Sequence, residues 1–129
     1  MRKHEVDVLI IDDDNISRFL IANTIRSSHE DICLMEAHSP QMALNYLTRR
    51  EENWPKIILC DINMPVMTGW DMLHKLSYQC CKHPETKIFM VSSSECKDDI
   101  NQLKSNPRIL ALLKKPLSFG DVDYIFDFL

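Results

Sequence analysis

A single α/β domain built on a parallel five-stranded sheet is the fold this sequence predicts, and three observations predict it. Five short apolar runs recur along the 129 residues, each followed by a stretch of helical period. Four of those runs stop abruptly at a polar side chain: Asp12, Asp61, Ser92 and the Lys114-Lys115 pair. No linker, low-complexity tract or change of composition interrupts the alternation. Strands that alternate with helices of about ten to fifteen residues need right-handed crossovers, and those crossovers make the sheet parallel.

The elements follow in order. Val6 to Ile11 reads as the first strand, and Asp12-Asp13-Asp14-Asn15 follows at once. Ile16 to Ser28 has helical period, with Leu20, Ile21, Thr24 and Ile25 expected on its inner face. Ile32 to Ala37 is the second strand. Ser39-Pro40 supplies an N-cap and a proline at the first helical position, and Ala43, Leu44 and Leu47 mark one face of the second helix. Lys56 to Cys60 is the third strand, ending in Asp61, and Pro65 and Gly69 break the pattern just beyond it. One helix is expected from about Gly69 to Cys80, with Met72, Leu73 and Leu76 inward. Thr86 to Val91 is the fourth strand, and Ser92-Ser93-Ser94 leaves its end. The fourth helix covers Lys97 to Ser105, with Ile100 and Leu103 inward. Ile109 to Leu113 is the fifth strand, and the last helix starts near Phe119, with Val122, Ile125, Phe126 and Leu129 at helical spacing.

Composition excludes several function classes. A net charge of -4 argues against a nucleic-acid surface, which carries basic excess. The charged start Met1-Arg2-Lys3-His4-Glu5 leads into an apolar run too short for a secretion signal or a membrane span, so a cytoplasmic protein without membrane insertion is expected. Five cysteines, at 33, 60, 80, 81 and 96, form no C-x-x-C pair and fit a reducing compartment, with Cys33 and Cys60 as small strand hydrophobes. Cys80-Cys81 with His83 lacks the second ligand pair that a tetrahedral zinc site requires. Two glycines, Gly69 and Gly120, are too few and too far apart for a P-loop or a dinucleotide fingerprint. The five histidines are scattered, and no helical bundle is encoded around any of them.

The chemistry gathers at one edge. A parallel sheet brings Asp12 and Asp13 from the first strand, Asp61 from the third, Ser92 from the fourth and Lys115 from the fifth to the same carboxyl-end rim. Taken singly, the aspartates are plausible helix caps, Ser92 a turn residue and Lys115 a solvated cation. Taken together, they are carboxylates that repel one another unless a cation joins them. A hard divalent ion, Mg²⁺, suits such oxygen ligands and holds phosphate. A hydroxyl and a lysine then complete a cradle for a phosphoryl group, with Asp61 as the carboxylate nucleophile.

Ile11-Asp12-Asp13, Asp61-Ile62-Asn63-Met64-Pro65 with Gly69, Met90-Val91-Ser92 and Lys115-Pro116 together resemble the receiver domains of two-component response regulators, over the whole chain 1–129. The resemblance implies a flavodoxin-like doubly wound sheet with strand order 2-1-3-4-5. It implies Asp61 as phosphoacceptor, with Asp13 and Asp61 as direct Mg²⁺ ligands. Asn63 would serve through its backbone carbonyl, and Asp12 through water. Ser92 would turn toward the phosphoryl group, Lys115 would pair with it or with Asp61, and Asn63 and Ser94 occupy positions that tune dephosphorylation. The partners implied are a sensor histidine kinase or histidine phosphotransfer protein as donor, and a downstream protein bound through the face of helix four, strand five and helix five. A single-domain regulator and a receiver cut from a hybrid kinase or longer regulator read alike. One departure stands out: many receivers carry an aromatic residue three places before the lysine, where this chain has Leu112.

Two other readings of an aspartate after a strand fit less well. A Mg²⁺-dependent phosphohydrolase of the haloacid-dehalogenase type needs an acid two residues past the nucleophile, and Asn63 cannot donate a proton as a carboxylic acid does. A flavin carrier needs a hydroxyl- and glycine-rich loop after the first strand, where three aspartates stand instead. Between Lys114 and Lys115, strand alternation lets only one face the rim, and proline after Lys115 restricts that residue's backbone. Lys115 is therefore the expected cation. Trp70 and Phe19 are expected to serve packing or docking rather than chemistry.

Overall fold

The computed structural model describes residues 6–94 and 96–129. The charged start 1–5, which carries the expectation of no targeting signal, lies outside the described residues. Five parallel strands form one sheet: β1 (Val8–Ile11), β2 (Leu34–Ala37), β3 (Ile57–Asp61), β4 (Lys87–Ser92) and β5 (Ile109–Lys114). Their order is β2-β1-β3-β4-β5, as the resemblance implied. Among the described residues five helices lie between the strands and a sixth follows the last: α1 (Asn15–Ser28), α2 (Pro40–Thr48), α3 (Gly69–Lys75), α4 (Ser77–Lys82), α5 (Lys97–Ser105) and α6 (Phe119–Phe126).

The strands are apolar throughout because both faces of the sheet are covered. Side-chain alternation divides them between two cores. Val8, Ile10, Ile57, Leu59, Phe89 and Val91 pack beneath α1 and α6, against Ile21, Ile25, Val122 and Ile125. Leu9, Ile11, Ile58, Cys60, Ile88 and Met90 face the other way, toward α2, α3 and α4. The central strand β3 is buried at all five positions, Asp61 included.

Several element boundaries and faces differ from the expectations. β1 and β2 begin two residues late, so Cys33 precedes its strand while Cys60 lies inside β3. The cap of α1 is Asp14, whose side chain accepts from the Ile16 amide, rather than Asp12 or Asp13. Leu20 is 47% exposed, because Ala22 takes the inner place between Ile21 and Ile25. The helix expected from Gly69 to Cys80 is two helices. Leu76 leaves helical geometry at φ -94, ψ 6 and caps α3, which lets the buried Leu76 and Cys80 both reach the core. Ile100 is 41% exposed, and Asp99 is the buried residue of α5. Leu129 lies beyond α6 and is exposed. With the third helix split, helix four and helix five of the sequence reading are α5 and α6.

Gly69 is required where α3 meets the sheet. A Cβ there would strike the Asp61 carbonyl oxygen and come within 2.8 Å of the Met90 methyl. The Gly69 amide donates to the Ile62 carbonyl at 2.8 Å, so the start of α3 is pinned to the end of β3.

Candidate functional site

The rim at the carboxyl ends of the strands gathers Asp12, Asp13, Asp61 and Lys115. Asp61 is the last residue of β3 and pairs in register with Val91 of β4. Asp12 follows β1 directly, and its amide donates to the Ala37 carbonyl of the neighbouring strand at 3.1 Å. Both carboxyls are buried, Asp12 at 1% exposure and Asp61 at 5%. Asp13 is exposed. One carboxylate oxygen from each of the three lies within 4.8 Å of the others.

Lys115 bridges two of them. Its ammonium donates to Asp12 Oδ2 at 2.6 Å and lies 3.3 Å from Asp61 Oδ1. Alternation along β5 sets this direction. Lys114 pairs in register with Ser92 and points outward, whereas Lys115 turns toward the α1 side, its amide held by the Ser92 carbonyl at 2.8 Å. The Lys115-Pro116 peptide is cis.

Asp12 has every oxygen occupied. Oδ1 accepts from the Asp14 amide at 2.9 Å, and Oδ2 accepts from the Ser17 hydroxyl at 2.5 Å as well as from Lys115. Arg18 donates to the Asp12 carbonyl at 2.7 Å. Neither Ser17 nor Arg18 stood out in the sequence. Their signal is positional: they fall in the first turn of a helix that starts just after the aspartates, where side chains fold back on the preceding loop.

The electrostatics divide the two buried carboxyls. Burial works against the charge of Asp12, but Lys115, Ser17 and the Asp14 amide outweigh it and hold this carboxyl below the usual range. Burial, then the neighbouring charges of Asp12 and Asp13, push Asp61 up to about 6 against the opposing pull of Lys115. Burial would lower Lys115, yet Asp12 and Asp61 keep it raised and charged. The Cys60 thiol is pushed up by burial and by Asp61 and Asp12, so it stays protonated and inert.

This donor set fits a hard divalent cation. Three carboxylates converge and raise the cost of ionising Asp61, and oxygen ligands without histidine or thiolate suit Mg²⁺. Asn63, two residues past Asp61, is exposed. Ser92 is brought to the rim but not to Asp61. Its hydroxyl donates to the Ser94 carbonyl at 2.6 Å and accepts from the Ser94 amide at 3.2 Å, so it closes its own turn. Leu112 is half-buried against the α2–α4 core, where the aromatic alternative would have stood. Trp70 packs, and its indole N–H also donates to Asp99 Oδ1 at 3.1 Å; Phe19 is exposed. The Cys80-Cys81-His83 run does not form a ligand cluster, since His83 stacks on Trp54 at 4.4 Å.

Comparison with known proteins places this geometry. The family described as response regulator receiver domain matches residues 8–124. A chemotaxis protein CheY homolog of Campylobacter jejuni is 31% identical over 94 residues, which cover 72% of this chain and 68% of the relative. A protein-glutamate methylesterase/protein-glutamine glutaminase of Chromobacterium violaceum is 35% identical over 71 residues, only 19% of its own length. Among solved structures, a two-component response regulator from Legionella pneumophila superposes with a TM-score of 0.82 at 27% identity, covering 95% of each chain. One from Cytophaga hutchinsonii does so with a TM-score of 0.82 at 28% identity, covering 96% of each.

Proposed function

The chain belongs to the response regulator receiver domain family, and from that premise we propose that it is the phosphoacceptor module of a two-component phosphorelay, with Asp61 as the residue phosphorylated. The observation that carries this reading is the carboxyl of Asp61, raised to about 6 at the mouth of the sheet, with Lys115 at 3.3 Å and two further aspartates beside it. Above that pH Asp61 is ionised and nucleophilic, yet not so stabilised that its oxygen is inert.

The donor is a phosphohistidine of a sensor kinase or histidine phosphotransfer protein. An Asp61 oxygen forms the bond to phosphorus as the histidine nitrogen–phosphorus bond breaks, and that nitrogen keeps the electron pair and takes up a proton. Asp13 and Asp61 through side chains, Asn63 through its carbonyl and Asp12 through a water would hold Mg²⁺, which when bound screens these carboxylates from the incoming anion. Lys115 leaves Asp12 Oδ2 for a phosphoryl oxygen, and Ser92 leaves Ser94 to donate to another. Hydrolysis of the aspartyl phosphate resets the module, and no other substrate is turned over. The donor lands along α1, where exposed Ile16 and Leu20 border a groove that runs to Lys115 and Pro116, and where Phe19 is also exposed. Output passes through the α5–β5–α6 face to a downstream protein, in the cytoplasm.

Incubation with a small-molecule phosphodonor and Mg²⁺, followed by peptide mass spectrometry, tests the reading. One phosphoryl group on Asp61 is expected, and full labelling that persists in Asp61→Asn would refute the assignment.

A further inference from the structure

The N-terminus of α5 is attached to the body of the protein by unusual means. Asp99 is the one buried residue of α5, at 8% exposure, although it is a carboxyl. Among the described residues no cation pairs with it. Its Oδ1 accepts the indole N–H of Trp70 at 3.1 Å, and Oδ2 faces the Cys96 thiol at 3.5 Å. A buried carboxyl is costly to desolvate, so the group that satisfies it holds it firmly in place.

The rest of α5 is loosely held. Cys96 provides no side-chain cap, Ile100 is 41% exposed and Leu103 is only partly buried. Beneath the helix lies a cavity of ≈ 240 Å³, bordered by Ser92, Ser94, Ile100, Leu103 and Leu112. The helix therefore has space to move into and one polar anchor that resists the movement.

The other end of the anchor is rigid and close to the acceptor. Trp70 follows Gly69, which packs against the Asp61 carbonyl so tightly that no Cβ fits. The Gly69 amide is bonded to the Ile62 carbonyl. Trp70 is itself 9% exposed, so its indole is a fixed donor. A physical path thus runs from Asp61 through Gly69 and Trp70 to Asp99 in α5, and Ile100 and Leu103 of α5 share the cavity's lining with Ser92 and Ser94. This path is separate from the sheet contact between β3 and β4.

We propose that Trp70 and Asp99 are positioning residues: their hydrogen bond sets the first turn of α5, and with it the Ser92–Ser94 turn that carries the site's hydroxyl, relative to Asp61. In the resting protein the bond keeps α5 off the cavity and leaves Ser92 closed on Ser94. Loss of the bond lets α5 settle inward and loosens that turn. A single net hydrogen bond corresponds to about a fivefold change in the population of the displaced arrangement. The inference rests on Ser92 belonging to the phosphoacceptor site, but its geometry is a property of the resting chain.

Amide and indole proton–nitrogen spectra, recorded without donor or metal, test it on the parent, Trp70→Phe, Asp99→Asn and Asp99→Ala. Trp70→Phe identifies the Trp70 indole signal against that of Trp54. The expected result is that Asp99→Ala moves the indole proton upfield and speeds its exchange, while Asp99→Asn, which keeps an acceptor oxygen, preserves most of both. In Trp70→Phe and Asp99→Ala the amides of Ser92, Ser94 and the first turn of α5 should shift together in one direction. Shifts confined to residues touching the indole ring would overturn the proposal, as would Asp99→Asn behaving like Asp99→Ala. Should Asp99→Ala fail to fold, Asp99→Leu, close to aspartate in shape but without an acceptor oxygen, decides the matter against Asp99→Asn. If Asp61 takes no phosphoryl group while these amides move as expected, the phosphoacceptor reading falls and the positioning pair stands.

Discussion

At the scale of single residues, Asp61 and Lys115 each make a prediction with a definite sign. Asp61 is raised from 3.8 to about 6 in the folded chain. Between those two values the folded state binds a proton that the unfolded state has lost, so raising the pH through that window removes stability. Asp61→Asn carries no such charge. Without metal, it should melt several degrees above the parent at pH 8, with the difference shrinking to nothing near pH ~4. Thermal melts in chelator across that range provide the check, and a parent at least as stable as the variant at pH 8 contradicts the raised carboxyl. Lys115 bridges Asp12 and Asp61 while Lys114 points outward. Lys115→Ala should therefore abolish phosphorylation-dependent binding of a partner, with Lys114→Ala near neutral under the same donor and readout. Equal losses would show that the pocket does not discriminate between them. Which of these lysines faces the rim was legible in the sequence, because strand alternation and the following proline are local. Ser17 was not, because nothing in the sequence says which first-turn side chain folds back onto Asp12.

At the scale of elements, the strands, their order and most inward helix positions were readable, Ile21, Ile25, Leu47, Met72, Val122 and Ile125 among them, while a few helix positions and loop strain were not. Continuous apolar runs mark doubly covered strands, and the alternation of elements fixes the parallel sheet. Period alone misplaced Leu20 and Ile100, because it locates an apolar stripe to within about one position and cannot see which neighbours close over it. The break at Leu76 escaped because it contains neither proline nor glycine and arises from tertiary packing of Leu76 and Cys80. Val66, in the loop after Asp61, was equally silent. It holds φ 74, a left-handed conformation that a β-branched residue resists, and its side chain is fully exposed. Nothing apolar is lost on replacing it, and the strain is on the order of 1 kcal/mol. Val66→Asn, which tolerates that conformation, should therefore stabilise the domain by about 1 kcal/mol in denaturant unfolding. A destabilised variant would mean that the valine side chain has a contact role that its exposure does not suggest.

At the scale of the whole molecule, the proposed function requires that a phosphoryl group at one rim alter a distant binding face. The α5–β5–α6 face carries exposed apolar side chains, among them Ile100, Leu110, Phe119 and Tyr124. It begins near Ser92 and Lys115, whose side chains bond to the Ser94 carbonyl and to Asp12. A population shift from one in ten to nine in ten requires the phosphoryl group to favour the active arrangement about 80-fold, or ~2.6 kcal/mol. One or two charge-assisted hydrogen bonds, at about 1.5–3 kcal/mol each, supply that amount, so no large rearrangement is needed. Under the proposed mechanism Ser92 would exchange a neutral carbonyl for a phosphoryl oxygen and gain such a bond, whereas Lys115 would exchange the Asp12 carboxylate for a phosphoryl oxygen and gain only the difference. The small size of Leu112 and the cavity beside it let α5 adjust without an aromatic ring changing place. Amide spectra with and without beryllium fluoride and Mg²⁺ should then show shifts spreading from Asp61 through Ser92 and Ser94 into α5, β5 and α6. The α2 side should stay still. Changes confined to Asp12, Asp13 and Asp61, with Ile100, Leu110 and Tyr124 unmoved, would mean that this face does not carry the output and that partners read the phosphoryl group directly at the rim.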